Sequence, residues 1–254
     1  MQTWSVNIIM EKRSVLVTGS SKGLGREIAM AAGKAGFRVI VNYLTNETGA
    51  REVVNDITRH GQEAISVKAD VTSPSAVDRM FERIQSEYGE LYGLINNVGL
   101  YKDATVWKMS PLVWNEVIHA NLTSAYLCTR ASIPFMRRLN RGRIVNISSV
   151  VGQTGVFGTS NYAAAKAGLF GLTKTVAKEV AKFGITVNCM VLGYFELGMF
   201  LRLPETTRKS IIDQIPLGRP GTANEITAPI LFLLSEGASY LTGQLIHVNG
   251  GCYM

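Results

Sequence analysis

One stretch decides the fold of this chain: SVLVTGSSKGLGREIAMAA, from Ser14 to Ala32. Its start is short, apolar and β-branched, which predicts a strand, and its end is rich in alanine, which predicts a helix. Between them, Gly19, Gly23 and Gly25 let the backbone turn tightly and approach a pyrophosphate at a helix N-terminus. The stretch therefore predicts a strand, a nucleotide-binding turn and a helix, with a plain strand-to-helix connection as the alternative for the turn.

Further apolar strands follow, separated by amphipathic segments such as Ser75–Tyr88 and Tyr162–Phe183. The predicted strands are Arg38–Asn42, Ala64–Lys68, Leu94–Asn96, Arg143–Ile147, Thr186–Met190 and Leu245–Val248. Strands that alternate with helices predict an α/β fold: one Rossmann-type domain with a doubly wound parallel sheet of about seven strands and helices on both faces. Ligands of such sheets bind outside the C-terminal strand ends, where Gly19, Asn96, Ser149 and Gly193 should converge.

Tyr162 and Lys166 are four residues apart on a predicted alanine-rich helix, so both side chains project from one helix face. A cation beside a phenol stabilises the phenolate, which lowers the tyrosine pKa from its ordinary value of about 10. Such a pair can do acid chemistry on one bound molecule. An isolated Tyr-x-x-x-Lys also occurs by chance on solvated helix faces, so the rest of the sequence must decide.

Six motifs in chain order resemble the short-chain dehydrogenase/reductase family. They are TGSSKGLG at 18–25, NNVG at 96–99, Asn121, ISS at 147–149, Tyr162-x-x-x-Lys166 and VNGG at 248–251. Within the family the chain is most similar to bacterial 3-oxoacyl-carrier-protein reductases and acetoacetyl-CoA reductases. The resemblance implies an NAD(P)-dependent oxidoreductase acting on CH–OH groups, with one domain over residues 12–254 and an N-terminal extension over residues 1–11.

The resemblance also implies a catalytic set of Asn121, Ser149, Tyr162 and Lys166. Tyr162 would donate a proton to the carbonyl oxygen of a ketone, and Ser149 would donate a hydrogen bond to the same oxygen. Lys166 would lower the pKa of Tyr162 and bind the nicotinamide ribose, and Asn121 would order a water for proton resupply. Ser149 is favoured over Ser148 because it lies 13 residues before Tyr162, as in the family, and neighbouring strand residues point to opposite faces.

The expected cofactor is NADPH, with NADH less favoured. The second strand ends at Tyr43 without the acid that would bind the ribose hydroxyls and repel a 2′-phosphate, and Lys22 could pair with that phosphate. Lys22 could also be an exposed loop lysine, and Asp70, which resembles the family's adenine contact, could be only a turn former. The expected cofactor-binding residues are Gly19, Ser21, Lys22, Gly23, Leu24, Gly25, Tyr43, Asp70, Val71, Asn97, Val98, Gly99, Tyr162, Lys166 and Gly193.

Three departures from the family pattern touch the predicted crevice. Val98 replaces an alanine, Leu192 replaces a proline, and Tyr194–Met199 lacks the Thr-Asp that usually precedes the substrate-covering helix. The leading expectation is an NADPH-dependent β-ketoacyl reductase acting on a thioester of acyl carrier protein or CoA. Alternatives are a reductase or dehydrogenase of another ketone, a polyketide, a sugar or an alcohol, and a non-catalytic NADP(H)-binding sensor or scaffold, against which the intact catalytic set argues.

The net charge of +7 would suit DNA, a membrane surface or an anionic substrate. The sequence has no helix-turn-helix or aromatic RNA-binding pattern and no apolar run of the roughly 20 residues that a membrane span needs. The cluster from Arg137 to Arg143, with Lys178 and Lys182, could dock an acidic carrier protein or CoA phosphates, or be a solvated helix end. We expect a cytoplasmic protein without nucleic-acid or membrane partners.

Self-association is expected from apolar residues at the C-terminus. The segments Leu245–Val248 and Cys252–Met254 are largely apolar, and the helix from Tyr162 has apolar positions on more than one face, so we expect a homotetramer or homodimer. Packing of the same residues inside one subunit is the alternative.

The cysteines and histidines indicate neither a disulfide framework nor a metal site. The three cysteines are widely spaced and are expected to be inert buried thiols: Cys128, Cys189 and Cys252. The three histidines are scattered without neighbouring ligands: His60, His119 and His247. The first dozen residues lack the pattern of a secretory signal, and Met10 leaves a later natural start open.

Overall fold

Parallel strands form the centre of the molecule. The computed structural model describes residues 13–198 and 200–254, so the predictions on the N-terminal extension lie outside the described residues. The strands are β1 Ser14–Val17, β2 Arg38–Tyr43, β3 Ala64–Lys68, β4 Gly93–Asn96, β5 Gly142–Ser149, β6 Ile185–Leu192 and β7 Leu245–Val248. In the described part of the chain they form one seven-stranded sheet in the order β3-β2-β1-β4-β5-β6-β7, and every neighbouring pair is parallel. The predicted parallel sheet is confirmed.

Helices connect these strands. They are α1 Gly23–Lys34, α2 Glu47–Arg59, α3 Pro74–Tyr88, α4 Pro111–Ile118, α5 Ser124–Leu139, α6 Val151–Thr154, α7 Ser160–Val180, α8 Glu205–Ile212 and α9 Ala223–Leu234. A π-helical turn, His119–Thr123, joins α4 to α5, and a 3₁₀ turn, Ala181–Phe183, extends α7. The two amphipathic segments noted in the sequence therefore correspond to α3 and to α7 with its final turn.

The core lies on both faces of the sheet because strand side chains alternate in direction. Val15 and Val17 pack on one face with apolar side chains of α1 and α9, whereas Leu16 packs on the other face with those of α3, α5 and α7. All residues of β1, β4 and β6 are buried, as expected for strands covered on two sides. Burying one large apolar side chain stabilises the fold by about 1.5–3 kcal/mol, so this two-sided core fixes the strand positions.

The strand order reverses at β1, which pairs with β2 on one side and with β4 on the other. In a sheet of this kind the crevice opens at the C-terminal ends of those central strands. The main-chain N–H of Thr18, directly after β1, donates to the carbonyl of Ile95 in β4 at 3.0 Å. The glycine turn that follows β1 and the loop that follows β4 therefore start side by side.

The prediction that Arg143 belongs to a basic surface is wrong, because Arg143 is a core residue. Only 2% of it is exposed, and its guanidinium donates to the Glu236 carboxylate at 3.2 Å and lies 5.5 Å from the centroid of the Tyr92 ring. The reason is that β5 begins at Gly142, which draws the next side chain into the sheet.

The remaining basic residues lie far from the crevice. Arg137 and Arg138 are exposed in the last turn of α5, and Lys178 and Lys182 lie where α7 ends, just before β6 begins. These positions are at the N-terminal edge of the sheet, opposite the strand ends where the crevice opens. The arrangement favours solvated helix ends over a docking surface for a carrier whose acyl group would enter the crevice.

The cysteine prediction is right for two residues and wrong for one. Cys128 and Cys189 are buried, and burial raises the pKa of each thiol to about 12. Cys252 is partly exposed because it lies after β7 in the final turn of the chain, where fewer elements cover it.

Among the described helices, none combines the length and apolar character that a bilayer crossing needs.

Candidate active site

The glycine turn between β1 and α1 leaves little room for side chains. Gly19 and Gly23 have φ values of +63° and +55°, in the left-handed region that favours glycine. A Cβ on Gly25 would lie 2.4 Å from the carbonyl oxygen of Gly19 and 2.6 Å from Nδ2 of Asn97. Backbone conformation requires glycine at the first two positions, and close packing requires it at the third.

The N-terminus of α1 is left available for an anion. Lys22 is its N-cap residue, but the side chain makes no capping hydrogen bond, and the first turn contains no acidic residue. By contrast, Asn46 caps α2 and Ser110 caps α4 with side-chain oxygens. The free N–H groups and the positive end of the α1 dipole lie at the crevice, so these residues fit the pyrophosphate of a dinucleotide.

Two asparagines that the sequence analysis did not select support this turn. Asn42, buried in β2, accepts from the N–H of Gly19 at 3.0 Å and donates to the carbonyl of Ala69 at 3.1 Å. Asn46 donates to the carbonyl of Ser21 at 3.2 Å. The sequence signal for Asn42 was an amide side chain within a β-branched apolar strand. Such an amide is expected to be buried and therefore needs hydrogen-bond partners.

The residues expected around the adenosine occupy different environments. Lys22 is exposed, whereas Tyr43 is only 8% exposed and belongs to the apolar core under α1 and α2. Asp70 accepts from the N–H of Thr72 at 2.9 Å and from its hydroxyl at 2.7 Å, so it forms the turn that was its alternative interpretation. Val71 is buried, which leaves its main chain for any cofactor contact.

The four expected catalytic residues come together at the crevice from three elements. Ser149 ends β5, Tyr162 and Lys166 lie in the first two turns of α7, and Asn121 lies in the π-helical turn. A Cβ on Gly99 would lie 3.2 Å from Oδ1 of Asn121 and 3.8 Å from Nζ of Lys166, so both side chains approach one point. Ser149 also lies close enough to Tyr162 to lower the pKa of its phenol. Folding thus assembles the predicted set.

Lys166 is almost completely buried and is held by the main chain. Its ammonium donates to the carbonyl of Ile147 at 2.8 Å and lies 5.5 Å from the centroid of the Tyr162 ring. Burial lowers the pKa of Lys166 to about 8. The neighbouring Ser148 hydroxyl donates to the carbonyl of Lys166 at 2.8 Å, on the buried side of β5, which agrees with the choice of Ser149 over Ser148.

The pKa of Tyr162 corrects an expectation. Burial raises it to about 12, and the proximity of Ser149 offsets only part of this shift. The expected lowering by Lys166 does not occur, because the ammonium is directed at Ile147 and desolvation of the phenolate dominates. At neutral pH the phenol keeps its proton, which is the form that a proton donor needs.

Asn121 fixes the backbone of the loop after β4. Its Nδ2 donates to the carbonyls of Leu100 at 2.8 Å and Val117 at 2.9 Å, and its Oδ1 accepts from the N–H of Leu100 at 3.3 Å. The π-helical turn around it is a conformation that is often found at functional sites. The structure therefore gives Asn121 a positioning role in the crevice wall.

Comparison with known proteins identifies the family of this chain. A family model described as enoyl-(acyl carrier protein) reductase matches residues 19–253. The chain belongs to the short-chain dehydrogenase/reductase family. Members of this family are NAD(P)-dependent oxidoreductases, so the expectation of an oxidoreductase with an NAD(P) cofactor is confirmed at this level.

Several curated relatives of this short-chain dehydrogenase/reductase carry the same name. The 3-oxoacyl-(acyl-carrier-protein) reductase FabG of Staphylococcus aureus is 40% identical over 242 residues, which cover 95% of this chain and 98% of the relative. FabG of Pseudomonas aeruginosa is 40% identical over 245 residues, covering 96% and 99%. The similarity therefore extends over nearly the whole of both chains.

The departures from the family pattern have defined places in the structure. A Cβ on Gly19 would lie 2.9 Å from Cγ2 of Val98, so the valine packs onto the glycine turn. Leu192 is buried in the core at the end of β6. A Cβ on Gly193 would lie 2.7 Å from Cα of Asn249, which explains the glycine by close packing of two chain segments.

Two further aromatic residues accompany Tyr162 in this family member. The sequence analysis did not select Tyr101, whose ring centroid lies 5.2 Å from that of Tyr162 at an interplanar angle of 75°. The available signal was its position directly after the NNVG motif. Tyr194, noted as a departure, has its ring centroid 6.2 Å from that of Phe200. Met199 lies outside the described residues, so the predicted lid segment is described only in part.

Proposed function

We propose that this short-chain dehydrogenase/reductase uses NADPH to reduce a β-ketoacyl thioester, carried on acyl carrier protein or CoA, to the 3-hydroxyacyl thioester. The observation that carries the proposal is the convergence at the crevice of Ser149, at the end of β5, with Tyr162 and Lys166 on the first two turns of α7, where the phenol keeps its proton. The names of the relatives, 40% identical over nearly the whole chain, support the same substrate class.

The chemistry follows from where charge develops. When NADPH is bound, its dihydronicotinamide supplies a hydride to the carbonyl carbon. Negative charge then grows on the carbonyl oxygen, where Ser149 donates a hydrogen bond and Tyr162 donates a proton. Burial, which raises the pKa of Tyr162 to about 12, keeps the proton on the phenol until the substrate oxygen becomes the stronger base.

Lys166 and Asn121 act on the surroundings of the reacting atoms in this proposal. Lys166, charged below about pH 8, would bind the nicotinamide ribose. Asn121 holds the loop that carries Gly99 and would order the water that resupplies the proton. The preference for NADPH rests on exposed Lys22 at the start of α1 and on the lack of an acid at the end of β2.

The decisive experiment offers the purified protein NADPH with acetoacetyl-CoA and, separately, with crotonyl-CoA, and follows the loss of NADPH absorbance. Oxidation with the ketone and not with the enoyl thioester is expected. The enoyl arm is needed because the matching family model bears an enoyl reductase description. Turnover of crotonyl-CoA alone would contradict ketone reduction. NADPH binding without turnover on either thioester or a panel of other ketones would instead favour a sensor or scaffold.

We also infer a homotetramer or homodimer with a cytoplasmic location. β7 is an edge strand whose Leu245, Ile246 and Val248 remain partly exposed, and Met254 is 98% exposed. Apolar residues at an open sheet edge are the kind of surface that a second copy covers. A monomeric mass by light scattering at micromolar protein would contradict the assembly, and fractionation of the source cells would test the location.

A further inference from the structure

Tyr101 is the aromatic side chain that contacts the proposed proton donor. It is partly buried in the loop after β4, and its ring meets the ring of Tyr162 edge to face, with centroids 5.2 Å apart and an interplanar angle of 75°. Aromatic pairs prefer this geometry. Tyr101 is therefore both a wall of the crevice and a lateral support for the Tyr162 ring.

The loop that carries Tyr101 is held on both sides. Asn121 binds both the N–H and the carbonyl of Leu100, directly before Tyr101. On the other side, Asn161 donates from the first turn of α7 to the carbonyl of Lys102 at 3.1 Å. These contacts tie the main chain on both sides of Tyr101 to the elements that carry the catalytic residues.

The phenol of Tyr101 is neutral at pH 7. Burial raises the pKa of Tyr101, and the negative charge of Asp103 raises it further. Tyr101 therefore presents a flat, uncharged surface beside Tyr162.

Tyr194 adds a second aromatic ring from the loop after β6. The partly buried Tyr194 lies near enough to Tyr101 and Tyr162 to raise the pKa of both phenols. Its ring also lies beside Phe200, with centroids 6.2 Å apart. The space in front of the proposed proton donor is thus bordered by aromatic rings that come from two different loops.

We infer that Tyr101, assisted by Tyr194, is a specificity-determining residue that favours β-keto thioesters with a flat, aromatic substituent on the ketone over those with a saturated chain. This inference rests on the proposed function. Stacking or edge-to-face contact with an aromatic side chain adds to simple apolar burial and corresponds to about a two- to tenfold preference.

The test compares two N-acetylcysteamine thioesters with equal carbon numbers in their acyl parts: 3-oxo-3-phenylpropanoyl and 3-oxononanoyl. The measured quantity is the ratio of their kcat/KM values with NADPH, compared between variants so that the intrinsic reactivity of each ketone cancels. Tyr101→Leu keeps an apolar side chain but removes the ring, and it should lower the phenyl-to-alkyl ratio about two- to tenfold. Tyr101→Phe keeps the ring and should keep the ratio.

Two further variants separate specificity from a general loss of structure. Tyr194→Leu should lower the ratio in the same direction, and Tyr240→Leu, at a fully exposed tyrosine, should leave it unchanged. An unchanged ratio in Tyr101→Leu and Tyr194→Leu, with both thioesters turned over, would overturn the inference and leave the proposed function standing. A wild type that reduces neither thioester nor acetoacetyl-CoA would overturn both.

Discussion

The ammonium of Lys166 donates to the main-chain carbonyl of Ile147 at 2.8 Å, tying α7 to β5 directly beneath the crevice. The charge is thereby removed from water and turned toward the main chain, 5.5 Å from the centroid of the Tyr162 ring. Burial consequently has opposite effects on the two groups: it lowers the pKa of Lys166 to about 8 and raises that of Tyr162 to about 12. Both groups are protonated at neutral pH, as ketone reduction requires.

Tyr162→Phe should lower the turnover number at least about a hundredfold, because the transition state loses its proton donor. The dissociation constant for NADPH should change little, because the substitution removes one hydroxyl group and leaves the other expected cofactor-binding residues in place. Steady-state kinetics with acetoacetyl-CoA and fluorescence titration with NADPH provide the two values. Tyr240→Phe, at a fully exposed position, serves as the control, and turnover retained in Tyr162→Phe would exclude this tyrosine as the donor.

Lys166→Met should abolish turnover and yet stabilise the cofactor-free protein by about 1–2 kcal/mol at pH 7. A pKa lowered from 10.5 to about 8 corresponds to roughly 3 kcal/mol of unfavourable charge burial, and loss of the hydrogen bond to Ile147 offsets about 1 kcal/mol of that gain.

The pH dependence gives this stability prediction a sign that can be checked. Because the folded-state pKa of Lys166 lies below the unfolded value, the unfolded chain binds the proton more tightly between about pH 8 and 10.5. The free energy of unfolding of the wild type therefore increases as the pH rises through that window and Lys166 loses its proton. That of Lys166→Met lacks this increase. Urea unfolding at equal protein concentration should show that the difference in free energy of unfolding between Lys166→Met and the wild type becomes smaller toward pH 10.5. An advantage that grows with pH would contradict the prediction.

Lys22→Glu should weaken NADPH binding by about 1–3 kcal/mol, because it removes an attraction and adds a repulsion at the 2′-phosphate. NADH should be affected much less. Lys34→Glu makes the same charge change at the other end of α1 and is the matched control. Fluorescence titration of both cofactors at fixed ionic strength measures the preference for NADPH over NADH. This preference should become smaller or reverse only in Lys22→Glu. Tyr43→Asp, which adds an acid at the end of β2, is a less direct test of the cofactor preference because the Tyr43 ring is part of the core.

Gly25→Ala should weaken NADPH binding at least about tenfold and lower the free energy of unfolding by about 1–3 kcal/mol. The added methyl group would lie 2.4 Å from the Gly19 carbonyl oxygen, so the turn must open. Gly171→Ala is the matched control: it is an exposed glycine inside α7 whose Cβ would meet nothing within 4 Å. The control should keep its affinity and gain about 0.5–1 kcal/mol of stability. Normal NADPH affinity in Gly25→Ala would show that this turn does not hold the pyrophosphate.

The sequence by itself determined the sheet and the choice of candidate residues. β-branched runs and glycines are local signals, since strand preference and the need for positive φ depend on the residue and its neighbours. Ordered motifs were enough to place Asn121, Ser149, Tyr162 and Lys166 in one family pattern. They could not show which hydrogen bonds these side chains make.

Only the tertiary structure decided the electrostatics and the crevice walls. Whether Lys166 faces Tyr162 or Ile147 depends on how α7 packs against β5, and the pKa shifts follow from that burial. Tyr101 meets Tyr162 because the loop after β4 packs against the start of α7, which is distant in sequence, and no periodicity encodes such a contact. Arg143 likewise looks like a surface cation in the sequence and becomes a core residue once β5 draws it beside Glu236. Local propensities specify the elements, but long-range packing sets which groups lose their water and which partners they gain.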